Sequence, residues 1–232
     1  MKKLSVKNVI EFRNRSAKSK LGFLNNLLND REKKEADESG GGDYWISCLS
    51  AIKNVFQTND KALLDEKIDQ LIDKIEDTDF KITKDRWQAN IDILHMFQEF
   101  DYDNLKPKFE LTYLKKPDSI SVLKIKDIPV EAKPQFVFSF KNKGMEEIGA
   151  VWFVIKKGGY KESELGIFSD MIYRYLIYNH SQNFSLNLDF CIAVDVYNSR
   201  FVTYNSLVNG DIAFLLDSTI DEINYVLYPP KP

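Results

Sequence analysis

Glu147 to Tyr178 reads EIGAVWFVIKKGGYKESELGIFSDMIYRYLIY. Gly149 to Lys157 is the longest β-type run in the chain, and two lysines and a Gly-Gly turn close it. The stretch after it has its apolar residues at helical spacing and predicts an amphipathic helix over 162–179. The strand and the helix form the predicted centre of the core, with the residues after Lys106 packed around them.

Downstream, DFCIAVDVYNSRFVTY (189–204) predicts a strand pair with Asn198 and Ser199 at the turn, and STIDEINYVL (218–227) a short last helix. Upstream, FELTYL, ISVLKI, IPVEA and QFVFSF are short and rich in β-branched and aromatic residues, with Pro117, Asp127 and Pro134 between them. KNKGME is the predicted hairpin loop before the central strand.

The first hundred residues read as helices. Ser5 is placed to cap the first, because its hydroxyl can accept a free N–H of the opening turn. RNRSAKSK (13–20) lacks a large apolar residue and splits this region into two helices around a basic bend. Asn29 to Gly42 holds no apolar residue but Ala36 and ends in three glycines, so it reads as a mobile loop. Asp43 caps the next predicted helix, followed by an acidic-outside, aliphatic-inside helix through Leu63 to Ile75 and another from Thr83 to Phe100. The fold class is α+β: a helical half (1–104), then a mostly antiparallel or mixed sheet with one crossover helix (105–232), readable also as one continuous domain.

With 232 residues, 44% apolar and 13% aromatic, the chain has ample material for a core. Cys48 and Cys191 sit inside apolar runs and read as buried free thiols, which fits a reducing cytoplasm. The N-terminus lacks a signal peptide's long apolar stretch, and no run approaches the ~18 apolar residues of a membrane span, so no membrane partner is expected.

Charge is unevenly spread. Residues 1–22 carry Lys2, Lys3, Lys7, Arg13, Arg15, Lys18 and Lys20 against Glu11 alone, a net of +6. Residues 57–79 carry eight acids against three lysines, a net of −5. Such asymmetry marks either a nucleic-acid contact or two segments that neutralise each other in the fold.

Local signatures of chemistry are few. The triple glycine lacks the Lys-Ser/Thr that a phosphate-binding loop needs, so no nucleotide is expected there. His95 and His180 have no partner at metal-ligand spacing, and neither metal nor cofactor is assigned. Asp170 and Arg174 read as a surface pair one helical turn apart. Asp195 interrupts CIAVDVY, and alternation turns it away from Val194 and Val196, toward solvent.

The order helix, β-meander, helix, strand over Lys84 to Tyr204 resembles the restriction-endonuclease-like, or PD-(D/E)XK, nuclease fold. In that family an acid on the second strand and a Glu-X-Lys on the third hold a metal ion that activates water for phosphodiester cleavage. Here Gln135 stands where the family's Asp would follow Pro134, and no Glu lies two residues before Lys156 or Lys157. The resemblance therefore implies a site that is lost, or one rebuilt from Glu131, Glu147 and Asp195 beside Lys156. The expected function is a nucleic-acid-associated protein of bacterial type without robust catalysis, its contacts drawn from Lys7, Arg13, Arg15, Lys18, Lys20, Lys156 and Lys157. Two rival readings stay open: a nuclease with a rearranged carboxylate site that uses magnesium, and a protein-interaction module with Tyr44, Trp45 or the 29–42 loop as its contact points.

Overall fold

The computed structural model describes residues 2–28, 44–115 and 121–229; the loop expected at 29–42, the Asp43 cap and Pro117 lie outside the described residues. β1 is the two residues Leu4–Ser5. Ser5 then caps α1 (Val6–Arg13): its hydroxyl accepts the Asn8 N–H at 3.1 Å, and Asn8 Oδ1 accepts the Ser5 N–H at 3.0 Å, which satisfies two free donors reciprocally. α2 (Ala17–Leu28) follows the basic bend. Next come α3 (Ile46–Thr58), α4 (Ala62–Glu76) and α5 (Lys81–Gln98).

The second half begins with β2 (Thr112–Tyr113), β3 (Val122–Ile125), β4 (Ile128–Glu131), β5 (Phe136–Asn142) and β6 (Met145–Val154). α6 (Glu162–His180) crosses over to β7 (Ser185–Asp195), and β8 (Arg200–Thr203), α7 (Tyr204–Val208) and α8 (Leu216–Leu227) complete it. The layout is α+β, helices first and then mixed sheets. Five strands pair in the order β2-β5-β6-β7-β8, antiparallel except for β6 and β7, which α6 joins in parallel. A three-stranded sheet, β1-β4-β3, stands beside it, with β1 and β4 parallel.

β6 carries no polar residue after Glu147 because both of its faces are covered. Ile148, Ala150, Trp152 and Val154 face a core shared with α1, α6 and α8, and Trp152 meets Phe168 edge-on at 5.2 Å. Val151, Phe153 and Ile155 face a second core built with α3, α4 and α5, where Phe153 meets Phe56 at 5.6 Å. The helical half thus shares its core with the sheet.

Cys48 and Cys191 are free and buried, and burial pushes the Cys48 thiol up to about 12. Among the described residues, no helix is long and apolar enough to cross a membrane.

Candidate functional site

The strand ends define the site. β6 finishes at Val154 opposite Asp195, the last residue of β7, and the chain leaves β6 through Ile155, Lys156, Lys157 and the two glycines. Gly159 has φ +72, and a Cβ there would overlap Asn198 Nδ2 and lie 2.6 Å from Asp195 Oδ2, so the turn requires glycine.

Asp195 is the post of this turn. It is fully buried, and its carboxylate accepts the Tyr160 N–H at 2.9 Å, the Tyr197 N–H at 3.1 Å and Asn198 Nδ2 at 2.7 Å. The Arg200 guanidinium lies 3.7 Å away and donates to the Tyr160 carbonyl. Alternation does turn Asp195 away from Val194 and Val196, but the opposite face is not solvent. It is the side that α6 and its leading loop cover, which corrects the exposed position expected from the sequence.

Glu164, in the first turn of α6, gathers the neighbouring donors. One carboxylate oxygen accepts Lys156 Nζ and the Lys161 N–H, both at 2.9 Å, and the other accepts Asn14 Nδ2 at 2.6 Å. Desolvation raises its pKa, but the hydrogen bonds from Lys156 and Asn14 outweigh it and hold the carboxyl below its ordinary value. The Lys156 ammonium lies 4.4 Å over the Tyr160 ring. Lys7 reaches from α1 to the Ile155 carbonyl at 3.5 Å, and desolvation lowers its pKa.

Glu131, at the end of β4, sits at this same end of the molecule, because Ser5 pairs with it two residues before Lys7. Lys3 at 2.5 Å and Lys133 at 2.9 Å bind it, and against partial desolvation they hold its pKa down.

Both carboxylates have folded pKa values below the unfolded one, so their stabilisation is present above about 4.5 and lost as pH falls through the lower folded values. The stability of the wild type to urea is therefore expected to fall, relative to Glu164→Gln, as pH drops below about 4.5, because the variant lacks the Glu164 part of that slope. Equal slopes in the two proteins would exclude Glu164 as a depressed acid.

Glu147 is remote from this end. It pairs with Ser185 while Val154 pairs with Asp195, so seven residues of strand, roughly 23 Å at ~3.3 Å per residue, separate Glu147 from Asp195. Its carboxylate is held by Asn142 at 3.0 Å and Asn187 at 2.6 Å. Gln135 closes the β5–β6 pair, with its amide accepting the Phe153 N–H at 2.7 Å and donating to the Phe153 carbonyl at 3.2 Å. Among the described residues, no three His, Cys, Asp or Glu side chains converge as a metal site.

Of the N-terminal cations, Lys20 is buried, bonded to Glu222 at 2.5 Å and seated over Phe12. Arg15 pairs with Glu11 and lies over Phe23, Arg13 donates to Thr219 at 3.2 Å, and Lys18 is exposed. Asp170 is also buried rather than on the surface. Desolvation raises its pKa against the pull of Arg174, which it binds at 2.9 Å and which also binds Asp217 at 2.7 Å. Lys157 and Lys161 are exposed beside the Gly-Gly turn and have no ion-pair partner among the described residues.

No protein-family model matches the chain, and no curated protein or solved structure matches it either.

Proposed function

We propose that the chain is a nucleic-acid-associated protein that holds a phosphate backbone across the carboxyl ends of β6 and β7 and does not cleave it. The observation that carries this reading is the surplus of lysines at that end. Lys7, Lys133, Lys156, Lys157 and Lys161 surround Glu131, Glu164 and Asp195, and those carboxylates are already engaged by lysines, Asn14 or backbone N–H groups. Lys157 and Lys161 are exposed beside the start of α6 and can meet phosphate, with Glu162 the one exposed acid of that first turn. The N-terminal cations contribute less, because Lys20 and Arg15 are paired inside the fold.

The restriction-endonuclease-like resemblance is supported by element order: α5, the antiparallel strands β2, β5 and β6, the crossover helix α6 and the parallel strand β7, with the β3–β4 hairpin inserted. Against cleavage stand Gln135, spent on the Phe153 backbone, and the buried apolar residues Trp152 and Phe153 on the third strand. A rearranged site of Glu131, Glu147 and Asp195 would have to span the length of β6. Of the contact points expected for a protein-interaction module, Tyr44 and Trp45 are half-buried, with Trp45 packed edge-on against Tyr44 and Tyr197. A separate feature, the exposed Phe80 (76%) and Ile82 (85%) at the start of α5, gives that reading its support.

Anisotropy titrations from low to physiological salt test the proposal. Affinity for DNA or RNA is expected to fall steeply with salt, and Lys157→Glu with Lys161→Glu is expected to weaken binding and to flatten the log–log salt slope by about 1 for each phosphate no longer neutralised. Added magnesium or manganese is expected to leave the nucleic acid intact. Absence of binding to both DNA and RNA at low salt would sink the proposal, and metal-dependent cleavage would restore the nuclease reading.

A further inference from the structure

The edge of the five-stranded sheet carries a second feature, a cavity of about 550 Å³ between the end of α3, the segment before β2 and β2 itself. Gln57, Asn59, Lys106, Lys108, Phe109 and Tyr113 are among the residues that line it. We propose that this cavity holds one nucleotide of a single-stranded nucleic acid, with its base stacked on Phe109 and its phosphate on Lys108. The inference rests on the nucleic-acid role proposed above and adds to it a site for an unpaired strand.

Phe109 is the deciding residue. Its ring lies parallel to that of Phe140, 5° between planes and 6.0 Å between centroids. Phe140 is 3% exposed and Phe109 is 47% exposed, so Phe109 is anchored beside a core ring while about half of it stays open on the lining of the cavity. A half-open aromatic ring held beside the core suits a base for stacking, and every base offers a face of its own. In a duplex those faces are taken by neighbouring base pairs, so only an unpaired strand can present one.

The cavity's polar groups suit the rest of a nucleotide. Lys108 is exposed and has no ion-pair partner among the described residues, which leaves its ammonium for phosphate. Lys106 is occupied: it donates to Asn59 Oδ1, lies 4.6 Å over the Phe56 ring and feels the charge of Asp103, the one acid on the lining. The Gln57 amide and the Asn59 Nδ2 group have no intramolecular partner among the described residues and can bond a base edge. Asn59 is fixed there by its left-handed C-cap conformation, φ 62, at the end of α3.

Anisotropy measurements at low salt with a labelled oligothymidylate, a labelled duplex of equal length and a labelled nucleoside monophosphate test this on the full chain. Phe109→Ala and, separately, Lys108→Glu are each expected to weaken oligothymidylate binding about tenfold and to leave duplex binding unchanged. Lys108→Glu changes an exposed side chain, so it keeps the test valid if Phe109→Ala lowers the melting temperature. Single-strand affinity that survives both substitutions would overturn the inference and leave the strand-end reading standing. A monophosphate bound as tightly as the oligonucleotide would overturn the polymer ligand. Failure of the wild type to bind either strand form would remove the proposed function itself.

Discussion

Asp195→Ala is expected to lower the unfolding free energy by about 2–4 kcal/mol, the cost of leaving one buried N–H without an acceptor and of losing two further hydrogen bonds to a carboxylate. Removal strands the buried Tyr160 N–H and takes the acceptor from the Tyr197 N–H, from the exposed Asn198 amide and from the half-exposed Arg200 guanidinium 3.7 Å away. For a chain of this size each kcal/mol corresponds to roughly 2–4 °C, so a melting temperature lower by about 10 °C is expected. Asp195→Asn is expected to fall between the wild type and Asp195→Ala, because its amide keeps one acceptor but turns an N–H₂ toward groups that are themselves donors. Urea denaturation followed by tryptophan fluorescence measures the effect. A loss below about 1 kcal/mol for Asp195→Ala, with the denaturant dependence unchanged, would show that the turn is held by something else. The same result bears on function, because a drop in any activity of an Asp195 variant speaks for catalysis only if the protein is shown to remain folded.

The central strand and helix were legible because their apolar content is continuous and periodic. β6 is buried on both faces, and α6 forms where its apolar spacing places it, but residues 164–172 are all buried, so its first half is enclosed on every side rather than amphipathic as expected. The parallel pairing of β6 with β7 follows from the crossover helix between them. Other parts carry too little pattern. β1 is two residues long, α7 is five, and the first half of β7, SLNL, is half-exposed and polar enough to read as loop. The error at Asp195 has a single cause: alternation says which face a side chain takes, not whether that face meets solvent.

At the strand ends, Lys156 and Lys157 were visible because they sit beside the Gly-Gly turn. Glu164 was not, since an acid three residues into a helix is sufficiently explained by capping and by the helix dipole. Asn14 and Lys7 reach this end across sequence separations of 150 and 148 residues, which no local pattern encodes. The Phe109 cavity was hidden for a similar reason. FELTYL reads as a strand, whereas only Thr112 and Tyr113 pair with β5, and Phe109 instead lies on Phe140.

Gly149→Val is expected to be the most damaging single substitution in the sheet, and Gly149→Ala to cost about 3 kcal/mol, the upper part of the overpacking range. The β6–β7 pairing slips between Ile148 and Ala150, and Gly149 is the residue at the slip. A Cβ there would lie 2.6 Å from Phe190 Cβ, 2.9 Å from the Phe190 carbonyl oxygen and 3.1 Å from Phe138 Cε2. Two of these atoms are fixed by the β7 backbone, so a rotamer change cannot relieve the overlap. Relief requires β6 and β7 to separate, and β6 is the central strand of the sheet, with a core on each face. Gly22, an exposed interior residue of α2 where an added Cβ would meet nothing within 4 Å, supplies the contrast. Gly22→Ala is expected to stabilise by about 0.5–1 kcal/mol through helix propensity alone. Denaturation midpoints of the Gly149→Ala and Gly22→Ala proteins should therefore move in opposite directions. Should Gly149→Ala unfold at the wild-type midpoint, the two strands can part at the slip without disturbing either core, and the close approach of Phe190 is not what holds their register.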